Sequence, residues 1–124
     1  MAERAEQQAA QEGHGRIADA FRNALARFRP DRPALILTHN DADGLSAAAI
    51  LIRALRTERA VAVRILRRGE NPWAAEVRSE VARSEPGGLI VTDLGVRAEA
   101  IVADVPTVFI DHHVPSGVPA EATV

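Results

Sequence analysis

Short apolar runs that each end in a cluster of acidic or imidazole side chains constrain this chain more than any other feature. Ala34 to Thr38 runs into His39-Asn40-Asp41-Ala42-Asp43-Gly44, Leu89 to Thr92 into Asp93, and Thr107 to Ile110 into Asp111-His112-His113. A fourth run, Val61 to Leu66, is rich in β-branched residues and ends in Arg67 and Arg68. Runs this short, bounded by turn residues, read as strands. They are apolar along their length rather than alternating, which predicts a sheet covered on both faces.

Helical patterns fill the gaps. Gly44 to Thr57, Trp73 to Ser84 with Pro72 near its start, and a short stretch from Val96 to Val102 read as helices. Upstream, Ala5 to Phe28 reads as a helix weakened at Gly13 and Gly15, with Ile17, Ala20, Phe21, Ala24, Leu25 and Phe28 at helical spacing. Pro30 and Pro33 end it. Its apolar face suits packing on the sheet and an oligomer contact equally well.

Strand-helix alternation with short connections requires crossovers, and crossovers make a parallel sheet. The expected fold class is α/β: a parallel, Rossmann-like sheet of about four strands flanked by helices, preceded by a helical segment at 1–29. After Val114 come Pro115, Gly117 and Pro119, and no further regular element is readable. No helix is readable after the fourth strand, so residues 30–124 read as a truncated domain or a fragment of a longer protein.

The chain has 124 residues, enough for one domain, and aromatic residues make up only 3% of it. Its core must therefore be built from Ala, Val, Ile and Leu. The formal net charge of -2 argues against an extended basic groove for nucleic acid. Every basic residue is Arg, which suits two-pronged phosphate contacts, although a GC-rich coding sequence yields the same composition. The absence of cysteine excludes disulfides and thiolate metal sites. Met1 to Gly13 lacks the apolar core of a signal peptide, and no apolar run approaches the ~20 residues that span a bilayer. A soluble, cytoplasmic protein is expected.

The chemistry follows from topology. Parallel strands deliver the three polar clusters to one edge of the sheet, where open α/β sheets bind ligands. Asp41, Asp43, Asp93 and Asp111 would then share a small crevice. Two carboxylates about 5 Å apart repel by roughly 3 kcal/mol at an effective dielectric of about 20. Protonation or bound cations must relieve that load. Two divalent ions do so directly, with His39 and His112 as neutral imidazole ligands. The mixed carboxylate and imidazole set suits Mn²⁺, with Mg²⁺, Co²⁺ or Zn²⁺ as alternatives. Taken singly, each Asp could instead be a turn or helix-cap residue.

H-x-D-x-D-G after the first strand, D after the third and D-H-H after the fourth resemble the DHH phosphoesterase superfamily. The segment THNDADGLSAAAI is most similar to the RecJ-like nuclease branch, archaeal type. The resemblance covers roughly Ala34 to Val114. It implies a two-metal phosphodiester hydrolase, exonuclease-like on single-stranded DNA, RNA or short oligonucleotides. It further implies that His39 and Asp41 bind one metal, Asp43 and His112 the other, and that Asp93 bridges both. His113 would face the substrate phosphate, and Asp111 would orient a histidine. Gly44 would let the chain turn into a helix whose N-terminus favours anions.

The family pattern also has a further Asp ligand in a fourth motif and a C-terminal substrate-binding domain. No Asp follows His113 in this sequence. The competing expectations are a non-catalytic module that binds metal or a protein partner, and a phosphodiesterase acting on small nucleotides. Elsewhere, His14 reads as a surface residue and Trp73 as core or a partner contact. Arg67 and Arg68 read either as solvated or as within reach of substrate phosphate.

Overall fold

Each crossover in this chain joins two strands that point the same way, so all strand ends of one polarity share one rim. A computed structural model describes residues 16, 18–92, 94, 97, 99–110 and 122–123. Among these residues five parallel strands form one sheet: β1 (Ala34–His39), β2 (Val61–Leu66), β3 (Gly88–Thr92), β4 (Thr107–Ile110) and β5 (Ala122–Thr123). Their order is β2-β1-β3-β4-β5. The four strands read from sequence are present within a residue or two of their expected ends. The two-residue β5, beyond the last readable element, adds an edge strand beside β4. A bridge this short carries no periodicity for a sequence reading to detect.

Among the described residues, three helices flank the sheet. α1 comprises residues 18–26. The upstream part of the expected Ala5 to Phe28 helix lies mostly outside the described residues. α2 (Ala42–Leu55) is rich in Ala and Leu, has Asp43 in its first turn and Arg53 in its last, and buries Gly44, Ala48 and Leu55. α3 (Ala75–Ser84) buries Val77 and Val81, one turn apart, and ends at Glu85 in a left-handed conformation before Pro86. It starts two residues later than expected. The Asn71 carboxamide takes the Trp73 N–H at 2.9 Å, and this turn holds the chain out of the helix. The short helix expected over Val96 to Val102 is not formed at 97 or 99–102, the residues described there. Two carbonyls of that stretch serve side chains instead: Glu99 O accepts from Trp73 Nε1 at 2.8 Å and Ile101 O from Arg78 Nε at 3.0 Å.

The two faces of the sheet carry separate cores. Leu35, Leu37, Leu89 and Val91 meet Trp73, Val77 and Val81 on the α3 side. Ala34, Ile36, Ile90 and Val108 meet Ala24, Leu25 and Phe28 and Ala48 and Leu55 of α2 on the other. Ile36, Leu37, Leu89 and Ile90 are fully buried, each removing apolar surface worth about 2 kcal/mol. β2 departs from the expected two-sided burial. It is an edge strand on which Ala62, Val63 and Ile65 stay exposed and Leu66 alone is fully buried. Trp73 is core, stacked against Phe109 at 6.1 Å, with the Arg97 guanidinium over its ring at 4.9 Å.

The segment around α1 packs on the sheet. The Phe28 ring lies so close over Gly88 that a Cβ there would collide with it. Arg59 covers the same ring at 5.8 Å and donates to Leu25 O. Phe28→Ala is therefore expected to cost about 3–5 kcal/mol in urea unfolding. A loss under about 1 kcal/mol would mean that this packing is incidental to stability.

Candidate active-site rim

β1→β2 turns to one side of β1, and β3 lies on the other. Consecutive crossovers with helices on opposite faces, α2 on one and α3 on the other, create a switch point between β1 and β3. In open α/β sheets a crevice forms at that point, outside the carboxyl ends of the strands. β1 ends there in Thr38 and His39, and β3 in Thr92.

The rim is fastened from below by two buried hydroxyls. Thr92 Oγ1 donates to Thr38 Oγ1 at 2.8 Å, and Thr38 Oγ1 donates to Gly44 O at 2.8 Å. Both threonines are fully buried, so each hydroxyl depends on its neighbour for the hydrogen bond that water would supply. The relay joins the ends of two strands to the first turn of α2. Sequence reasoning passed over both residues, although each immediately precedes a residue assigned to the site, in T-H and in T-D.

Gly44 lies inside α2, whose helical residues begin at Ala42, and not at the turn into it. Its requirement is therefore different from the one expected. A Cβ at this position would collide with the His39 carbonyl oxygen and sit 2.8 Å from Thr38 Oγ1. Glycine allows the helix to press against the end of β1.

Asp41 is the N-cap of α2. Its Oδ1 accepts the Gly44 N–H at 2.7 Å, and its backbone carbonyl accepts from Leu45 N at 2.9 Å. Its Oδ2 lies 2.9 Å from His39 Nδ1. An ionised carboxylate has no proton to give, so His39 donates from Nδ1, and in the neutral imidazole the Nε2 lone pair is then left for another partner. The Gly44 N–H, and next the His39 side chain, hold the Asp41 carboxyl below the usual carboxylate range. The cap role of Asp41 does not exhaust its carboxylate, because each oxygen retains a second lone pair.

Of the seven residues assigned to chemistry from sequence, the structure brings His39 and Asp41 into contact and sets Asp43, exposed, in the first turn of α2. Asp93, Asp111, His112 and His113 lie outside the described residues. Among the described residues, no group of three or more His, Asp or Glu is gathered to hold a metal ion. The strand ends that lead to the remaining four are register partners, Thr92 opposite Ile110. The pair that is described fits a divalent cation in donor type: one imidazole nitrogen and one carboxylate, both half-exposed. A hollow of about 250 Å³ opens at the opposite end of the sheet, among Arg29, Arg32, Glu85 and Asp104. Its arginines are already engaged, Arg29 with Asp31 and Arg32 with Glu85.

The described part of this rim is an imidazole and a carboxylate in contact at the switch point of a parallel α/β sheet. The family model described as DHH family, N-terminal domain, matches residues 33–124, about three quarters of the chain, and the protein belongs to that family. Among curated proteins the sequence finds no match. Among the described residues no helix is long and apolar enough to cross a membrane.

Two outcomes test the rim. Gly44→Ala is expected to destabilise by about 1–3 kcal/mol in chemical denaturation, because the colliding atom is backbone and cannot rotate away. Asp41→Ala should destabilise at neutral pH, and the difference should vanish in acid. A depressed carboxyl stabilises the fold while ionised and loses that contribution as pH falls through its folded-state pKa. Unfolding curves of both proteins from neutral to acid pH measure it, and a difference that grows in acid contradicts the cap.

Proposed function

We propose that this chain is the metal-binding half of a two-metal phosphoesterase that hydrolyses phosphodiesters, with a RecJ-like preference for single-stranded nucleic acid. Membership of the DHH family supports the chemistry class. The observation that carries the reading is the His39–Asp41 pair at the β1/β3 switch point, with Asp41 bound to the N-terminus of α2.

His39 Nε2 and Asp41 would hold one cation, Asp43 and His112 the other, with Asp93 shared between them. Two divalent cations, Mn²⁺ by this donor set, supply a water of lowered pKa and offset charge on the phosphoryl oxygens. The chain's own residues prepare that chemistry. Asp41 fixes the His39 ring and its tautomer, so that the outward nitrogen is the unprotonated one. The N-terminus of α2 adds positive potential beside the acidic side chains and favours an anionic substrate there. His113 would donate to a phosphate oxygen or to the leaving group, and Asp111 would orient a histidine. The compartment that fits this role is the cytoplasm.

The full-length protein with Mn²⁺ is expected to release mononucleotides from a short single-stranded oligonucleotide. Asp93→Ala should reduce the rate by at least about a hundredfold. Calorimetry is expected to give two Mn²⁺ per chain, reduced by Asp43→Ala. No Mn²⁺ binding and no phosphodiester hydrolysis would overturn the proposal.

A further inference from the structure

β2 ends beside β1, with Leu66 in register opposite His39, so the residues that follow β2 emerge at the same rim as the His39–Asp41 pair. Arg67, Arg68, Gly69 and Glu70 form a tight turn there. Glu70 N donates to Arg67 O at 3.0 Å, and Gly69 supplies the third position with φ +89°. That conformation is open to glycine and strained for other residues.

The turn is held far more firmly than an exposed loop needs. Arg64, within β2, donates to both Glu70 oxygens, at 3.3 and 2.8 Å, and to Glu80 of α3 at 2.5 Å. Glu70 Oε1 also accepts the Arg67 backbone N–H at 2.8 Å. The guanidinium of Arg64 and the two glutamates therefore satisfy one another.

The side chains of the two arginines displayed by this turn take no part in that clamp. Both are exposed, and among the described residues neither side chain makes an ion pair or hydrogen bond. Arg67 contributes only a minor Coulombic influence on Glu70. Some arginines meet carboxylates, Arg22 with Asp19, Arg29 with Asp31 and Arg32 with Glu85, whereas the exposed Arg53 and Arg56 stand at the far end of α2, away from this rim. Adjacent like charges on a fixed turn repel, and an anion between them removes the penalty. Guanidinium groups suit phosphate oxygens in particular.

The geometry points to Arg67 and Arg68 as a subsite for a substrate phosphate other than the one cut, on the β2 side of the rim, pre-ordered by Arg64 and Glu70. It rests on the phosphodiesterase reading for the identity of the ligand, a single-stranded polynucleotide. The subsite would lengthen the substrate that the rim prefers, because a ligand with one phosphate cannot reach both places.

The test is fluorescence anisotropy of a labelled single-stranded oligonucleotide with the full chain, in EDTA, across a salt series. R67Q/R68Q is expected to weaken binding about tenfold and to lower the salt slope by about 1.4, at roughly 0.7 per charge on a single strand. R56Q, beyond the far end of α2, should change neither. E70A discriminates an ordered turn from simple charge: it removes a negative group, so weaker binding supports the clamp and tighter binding overturns it. Unchanged affinity and slope in R67Q/R68Q overturn the subsite. Competition by inorganic phosphate as strong, per phosphate, as by the strand also overturns it, in favour of a free-anion site. A parallel assay with Mn²⁺ and bis(4-nitrophenyl) phosphate separates this proposal from the catalytic one. Hydrolysis equal in wild type and R67Q/R68Q, with a raised KM for the oligonucleotide alone, supports both. Arginine-dependent binding without any hydrolysis by wild type supports the subsite while the catalytic reading fails.

Discussion

The buried hydroxyl relay from Thr92 through Thr38 to the Gly44 carbonyl is the contact on which the rest of the rim depends. It ties the ends of β1 and β3 to the first turn of α2, the three elements that surround the switch point. In a dry site each of these bonds is stronger than in water, and losing a partner leaves a costly orphan. With the helix start fixed, the N-cap carboxylate is fixed, and with it the imidazole that donates to it. A site built on such supports needs little reorganisation when a ligand arrives.

Most of this architecture was legible in the sequence, for a specific reason. Ala34 to Thr38, Leu89 to Thr92 and Thr107 to Ile110 are central-sheet strands, and burial on both faces writes itself as uninterrupted apolar residues. β2 obeys a different rule. Its Arg64 and its exposed Val63 and Ile65 belong to an edge, and an apolar run alone does not reveal which strand will lie at the margin. The stretch around Val96 to Val102 was misread because its carbonyls bond to side chains of Trp73 and Arg78, partners remote in sequence. The same remoteness hid the packing of Phe28 on Gly88.

The rim was legible as residue types and less so as supports. His39 and Asp41 were named as a pair and are in contact. Asp41 serves as the helix cap, and a cap carboxylate of this kind still has lone pairs to offer a ligand. Glycine at position 44 was expected for a turn and is required for close packing, a distinction that depends on where α2 begins. Thr38 and Thr92 carry no chemistry by type, and their role appears only once two strands lie side by side.

The margin of the sheet at β2 has a consequence for how these molecules behave toward one another. Among the described residues no strand pairs beyond β2, and an edge with Val63 and Ile65 exposed offers a template for lateral stacking of copies. Arg64 sits between them in sequence, paired with two carboxylates, and places an ionic knot midway along that ribbon. A neighbouring strand would have to bury or uproot this knot in order to zip along the edge. Charge held in the middle of an otherwise greasy border works against such stacking.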